Sequence, residues 1–242
     1  MGARGPGGSD MGPHARFDVP ERSSAYLGVA RYHGRSVHAV QERPATVDLR
    51  RARATLDLDG RLRLLPAHAN VRGFYFKQTA DEVARHGPAA VAAYRCLSPV
   101  KAKWFFRMYP IADYLEDLAS AAAVLAPADP PSAVRAIWAN GPRYAPLFNA
   151  TRFLGLLRGE VAGAMQWLEA HRGFFADYGR WRMERLGPHY IVMHYFEECI
   201  WIDSAHRGGM EGLLEACGVQ GTVEVDLDSP LDGRLHVRWH AP

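Results

Sequence analysis

The chain has 242 residues, 48% of them hydrophobic and 23% charged, enough apolar material for a full core without disulfide or metal staples. Its 29 Lys+Arg against 26 Asp+Glu leave a net charge of +3, too even to mark a nucleic-acid-binding surface. Cys96, Cys199 and Cys217 are odd in number, widely spaced and lack a C-x-x-C pair, which argues against a disulfide framework or a zinc site and predicts a reducing, cytoplasmic setting.

Residues 1–24 are Gly-rich with no apolar h-region, and Gly2 is followed by Pro6 where a myristoylation motif needs Ser or Thr. They are expected to be a disordered start without a secretory signal. The longest uncharged stretch, Ala119 to Ala128, is about half of what a membrane span requires. Residues 25–70 read as a β-containing extension, because Ala54 to Leu65 alternates apolar and polar side chains around Asp59-Gly60, a hairpin signal.

From Val71 to about His171 the period becomes helical. Phe74, Thr79/Ala80 and Val83 share a face that stops at Gly87-Pro88, and Ala90 to Cys96 continues after it. Ile111, Tyr114, Leu115, Leu118 and Ala122 follow Pro110 at spacings of three and four. Pro127, Pro130 and Pro131 punctuate the next boundary. Ser132 to Trp138 and Val161 to Leu168 extend the helical layer, with Asn149 as a cap for Phe153 to Leu157 between them.

After Phe174 the period is two. Trp181 and Met183 oppose Arg182 and Glu184, Gly187-Pro188 turns the chain, and Tyr190 to Glu198 is rich in β-branched and aromatic residues. Asp203-Ser204 opens a helix with an apolar stripe of Met210, Leu213, Leu214 and Cys217, ending at Gly218. Val223, Val225 and Leu227, then Leu235, Val237 and Trp239, alternate with polar residues across a turn containing Asp232-Gly233. The fold class is α+β: a helical layer, then hairpin, helix and hairpin forming a four-stranded antiparallel sheet.

Several phrases carry a resemblance: Val71-Arg72-Gly73-Phe74, Tyr109-Pro110-Ile111-Ala112-Asp113-Tyr114-Leu115, Gly209-Met210-Glu211-Gly212-Leu213-Leu214 and Arg238-Trp239. Over about residues 71–240 the chain resembles an uncharacterised family of domains found as many paralogues in myxobacteria, so that 71–242 is expected to be one α+β domain. More distantly, its element order is similar to the superfamily of haem nitric-oxide-binding domains, four-vinyl-reductase domains and small TRAPP subunits. That resemblance implies one of two behaviours: sensing a small ligand between helical layer and sheet, or acting as a dimerising interaction module.

Haem nitric-oxide-binding domains use an axial histidine and a Tyr-x-Ser-x-Arg motif, and the sequence lacks the motif. His171, at the end of the helical layer, is the nearest positional candidate for a haem ligand, although beside Arg172 and Gly173 its ordinary role is to cap a helix C-terminus. Haem has no positive support in the sequence. The four-vinyl-reductase branch carries clustered cysteines. Here Cys199 and Cys217 are a helix apart and His236 and His240 lie with Arg234 and Arg238, so no metal site is expected.

His189 and His194 are five residues apart and point to opposite faces of a strand, as do the adjacent Glu197 and Glu198. No nucleophile elbow, phosphate loop or His-Glu-x-x-His motif is present. The enzyme reading reduces to an unlisted chemistry around Tyr195, Glu197 and His194.

Gly208, Gly209 and Gly212 lie inside the predicted helix, each at a cost of about 1 kcal/mol relative to Ala. Something close must offset that: tight packing within the monomer, a ligand slot or a dimer seam, with Arg207 beside it. Aromatics crowd at Phe74-Tyr75-Phe76 and from Trp104 to Tyr109, and Trp104, Phe105 and Tyr109 cannot all face one core. Phe74, Trp104, Phe105, Tyr109, Arg207, Gly208, Gly209 and Gly212 are therefore the candidate ligand-binding or interface residues. The leading expectation is a non-enzymatic signalling or assembly module acting through protein contacts as a homodimer. The alternative is a sensor of a small hydrophobic, haem or lipid-like ligand, without nucleic-acid partners or a membrane span.

Overall fold

The computed structural model describes residues 47–98, 103–144 and 160–240. Two short helices, α1 (Leu49–Thr55) and α2 (Leu58–Leu64), stand where a hairpin around Asp59-Gly60 is expected. Leu58, Leu62 and Leu65 follow one another at spacings of four and three, and packing against the helical layer selects that helical period over the alternation of Leu56, Leu58, Leu62 and Leu64. Asp57 takes the left-handed conformation (φ 46°) that separates the two helices. Asp48 caps α1, its side chain accepting from the Arg51 amide at 3.0 Å. The expected helix from Phe153 to Leu157 lies outside the described residues.

A two-stranded ribbon of β1 (Asn70–Arg72) and β2 (Met108–Pro110) brackets α3 (Phe74–Arg85) and α4 (Pro88–Leu97). Behind it lie α5 (Ile111–Leu125) and α6 (Pro130–Ala139), the latter capped by Asp129 with Pro130 in its first turn. α5 is buried along most of its length, and its Tyr114, Leu115 and Leu118 centre the first apolar cluster.

The second cluster belongs to the sheet, whose antiparallel order is β3 (Arg180–Gly187), β4 (Tyr190–Phe196), β6 (Gly233–Trp239), β5 (Gly221–Leu227). Met193 pairs with Met183 and Leu235, and Val237 with Ile191 and Val223, so one face is apolar except at Arg185 on the edge strand β3. That face is covered by α7 (Val161–Ala170) and by α9 (Arg207–Ala216), with a single turn α8 (Arg172–Phe175) leading into β3. The opposite face carries Arg182, His194, Arg234 and Asp226 in register.

The helix expected from Ser204 begins as a π-turn, Ile202–His206, before becoming α9. Its glycines meet α6. A Cβ at Gly208 would collide with the Arg135 carbonyl, and one at Gly212 with the Ala139 carbonyl. Arg135 and Glu211 seal the crossing as a two-bond pair. Gly212→Ala is therefore expected to destabilise by about 1–3 kcal/mol in urea unfolding, because backbone has to move. Gly209→Ala meets the Trp138 ring at 3.3 Å and should stay within about 1 kcal/mol of wild type, crowding being offset by helix propensity.

Candidate functional site

Between the two apolar clusters the chain buries charge. Glu198 follows β4 and is fully buried, reached through Glu197, which has φ 54°. A left-handed non-glycine residue costs free energy and marks a backbone held by its surroundings. Here the Glu197 amide donates to Asp232 Oδ1 at 2.9 Å, and the Glu198 amide donates to the Leu231 carbonyl at 2.7 Å. The outcome is that Glu197 points to solvent and Glu198 inward.

Three hydrogen-bond donors and one imidazole meet the Glu198 carboxylate. Trp181 Nε1 donates at 2.7 Å and Arg172 Nη2 at 3.3 Å to Oε2, while the Ile200 amide donates at 3.1 Å to Oε1. His206 Nε2, delivered by the π-turn, stands 3.4 Å from Oε1, in ion-pair range. Burial alone would raise this carboxyl; the charges of His206 and Arg172, with the hydrogen bonds, outweigh it and hold it down at about 2.

Arg172 lies between the Tyr178 and Trp181 rings, 4.7 Å from each centroid. Arg61, also buried, donates to the carbonyl oxygens of Glu198 and Cys199 at 3.4 and 3.2 Å and lies over Trp201. The His206 ring is enclosed by Tyr195, Trp138 and Trp181, with centroids 4.6, 5.0 and 5.3 Å away. Three buried polar atoms around this carboxylate have no well-formed hydrogen bond: Arg172 Nε, Tyr178 OH and His206 Nε2. Buried polar groups are nearly always paired, so such a concentration calls for an explanation.

The residues singled out from the sequence fall into two places. Gly208, Gly209 and Gly212 lie on α9 against α6, with Arg207 paired to Glu211 at 3.2 Å. Phe74, Phe105, Trp104 and Tyr109 gather around the β1–β2 ribbon. Phe74 stacks on Tyr75, and Phe105 lies 5.7 Å from Phe74. Tyr109 OH accepts from the Trp104 amide at 2.7 Å. Trp104 is 78% exposed and Phe106 56%, on a loop pinned by the Gly73 amide donating to the Arg107 carbonyl. Tyr75 stacks on Trp138, which touches His206, so rings link the ribbon to the buried cluster.

His171 is exposed at the end of α7, its ring stacked on Trp167 and its Nδ1 2.8 Å from the Trp167 carbonyl. Tyr195 faces the sheet's apolar side, His194 pairs with Glu184 on the other, and Glu197 is exposed; the three do not form one site. Among the described residues no three His, Cys, Asp or Glu side chains group as metal ligands. No helix there is long and apolar enough to cross a membrane. Sequence reasoning missed Arg172, Glu198 and His206. The signal available was a carboxylate embedded in the apolar run from Tyr190 to Ile202.

Solved structures similar to this chain are H-NOX proteins. The Fe(II) unliganded H-NOX protein from K. algicida matches at 12% identity over 71% of this chain and 97% of its own, with a TM-score of 0.57. The IWP-051-bound H-NOX from Shewanella woodyi, in the Fe(II)CO ligation state, matches at 13% over 70% and 94%, TM-score 0.54. A mutant of the H-NOX from T. Tengcongensis matches at 12% over 71% and 98%, TM-score 0.51. At these identities the likeness is one of fold. No curated protein matches the sequence. The model of a family described as protein of unknown function (DUF2378) matches residues 65–240, and the chain belongs to that family.

Proposed function

We propose that this chain is a ligand-sensing domain on the H-NOX fold, taking its ligand at the seam around Arg172, Tyr178, Glu198 and His206. The observation that carries this reading is the set of three buried polar atoms, none with a well-formed hydrogen bond, surrounding one buried carboxylate. The strained residue before Glu198 and the π-turn beneath His206 support it, since both features concentrate at functional sites. The polar lining favours a polar ligand over a lipid-like one.

Haem, which the fold implies, does not fit the described residues. The one imidazole buried at the seam among them, His206, turns its Nε2 toward a carboxylate and is walled in by rings. His171 is on the surface against Trp167. Stoichiometric haemin is expected to give no Soret shift and no change in melting temperature. A polar ligand at a hundredfold its Kd raises stability by about 2.7 kcal/mol. In a thermal-shift screen, hits should be lost in Arg172→Met. A haem complex with a histidine-ligated spectrum overturns the reading.

A second reading, a protein-contact module acting as a homodimer, is favoured by the exposed Trp104 and Phe106 on their pinned loop. Light scattering at rising concentration is expected to give twice the monomer mass, and Trp104→Ser to return it to monomer; a wild-type monomer throughout counts against it.

A further inference from the structure

We infer that the seam is a receptor for a small ligand bearing a carboxylate or similar oxyanion, and that the Glu198 side chain holds the anion's place until the ligand arrives. This deepens the ligand-sensing reading and rests on it.

The groups around Glu198 are those that recognise oxyanions anywhere: an indole N–H, a backbone amide, a guanidinium and an imidazole, all within 3.4 Å of the two carboxylate oxygens. One carboxylate does not use them up. Arg172 Nε lacks an acceptor, and His206 Nε2 lies in charge range of Oε1 without a well-formed hydrogen bond to it. Arg61 brings a second buried guanidinium whose hydrogen-bonding partners are the carbonyl oxygens of residues 198 and 199, with Asp203 and Asp57 acting on it through their charge. Two buried arginines thus stand beside one buried carboxylate at the seam.

The place-holder is also mounted to move. Glu198 stands beyond the last paired residue of β4, directly after the left-handed Glu197, whose carbonyl packs against Gly179, itself left-handed (φ 63°). Relaxing φ at Glu197 swings Glu198 out of the pocket and releases backbone strain, while β4 keeps its register. An incoming anion then meets the same groups, and the released segment carries the change to the Ser229–Asp232 turn that straps it.

The test uses the full chain and formate and acetate as probes, with chloride at equal ionic strength as control. Glu198→Ala vacates the anion position, and formate or acetate should raise its melting temperature and titrate with millimolar Kd by calorimetry. Wild type should respond only at tenfold or higher anion concentration, because its own carboxylate competes. Adding Arg172→Met to Glu198→Ala should weaken anion binding at least tenfold. Glu198→Gln, which keeps the side-chain volume, serves if the alanine variant does not fold, and is expected to respond at lower anion concentration than wild type. The proposal is overturned if neither variant binds the anions better than wild type, or if Arg172→Met leaves their binding unchanged. A neutral ligand that stabilises wild type and is lost in Arg172→Met overturns the anion class alone and leaves the ligand-sensing reading standing. If no ligand of either kind acts through Arg172, both fail.

Discussion

Replacing Glu198 by alanine is expected to cost about 3–5 kcal/mol of folding stability, the range for removing one partner of a buried ion pair. The loss comes from what remains behind. Arg172 and His206 stay buried without the carboxylate that compensates them, Trp181 loses its acceptor, and a small cavity opens at a side chain that had no solvent exposure. Pairing Glu198→Leu with Arg172→Met should recover much of the loss, since an apolar pair of similar volume removes the orphaned charge together with its partner. The same carboxylate sets the acid limb of the stability curve. Its native value lies below the ordinary 4.5, at about 2, so its contribution is complete above pH 4.5 and is lost as pH falls toward 2, about 3 kcal/mol in all. Urea midpoints collected between pH 2 and 4 should fall with acid in wild type, and most of that fall should be absent from Glu198→Gln, the remainder belonging to Asp232, whose carboxyl is held below its ordinary value by the hydrogen bonds from Ser229 and the Glu197 amide. A wild-type acid limb retained in that variant would place the titrating group elsewhere.

The sheet was legible because Val223, Val225, Leu235 and Val237 alternate in segments too short to be read as helices, and a two-residue period has one structural outcome there. The first helices were not. Leu58 and Leu62 satisfy both periods, Leu64 continuing the alternation and Leu65 the helical stripe, and Asp59-Gly60, which reads as a turn, lies inside α2, where the left-handed Asp57 makes the bend instead. Local patterns leave such a tie, and contact with α5 breaks it. The glycines of α9 announced a close approach but not its partner, since a missing Cβ says that backbone comes near and leaves open which backbone; it is α6. The buried cluster was the least legible part. Arg172 and Glu198 are 26 residues apart, and an adjacent Glu197-Glu198 pair gives no sign of which side chain turns inward. That choice is made by a positive φ at residue 197, a property of the turn and its strap to Asp232 that no side-chain pattern encodes.

A second buried carboxylate works in the opposite sense and separates the two halves of the molecule experimentally. Asp117, on α5 within the helical layer, is fully buried. Its Oδ1 accepts from Tyr94 OH at 2.5 Å and Ser98 Oγ at 2.6 Å, while Oδ2 has no hydrogen-bond partner. Burial drives the carboxyl up to about 6, against the lowering effect of the two hydroxyl donors, because half of the charge would lie in apolar surroundings unpaired. An acid whose native value exceeds its unfolded 3.8 stabilises the fold fully below pH 3.8 and loses that contribution as pH rises through about 6. The loss amounts to about 3 kcal/mol and is complete by neutral pH. Asp117→Asn keeps the acceptor for Tyr94 and Ser98 and removes the ionisation, so its stability should be level between pH 4 and 7 while wild type declines. At pH 7 the variant should be the more stable protein. Because the Glu198 contribution is complete above pH 4.5, the decline from there to pH 7 reads Asp117 with little overlap. An unchanged wild-type slope in Asp117→Asn would mean that this carboxylate reaches water, or a cation, in solution.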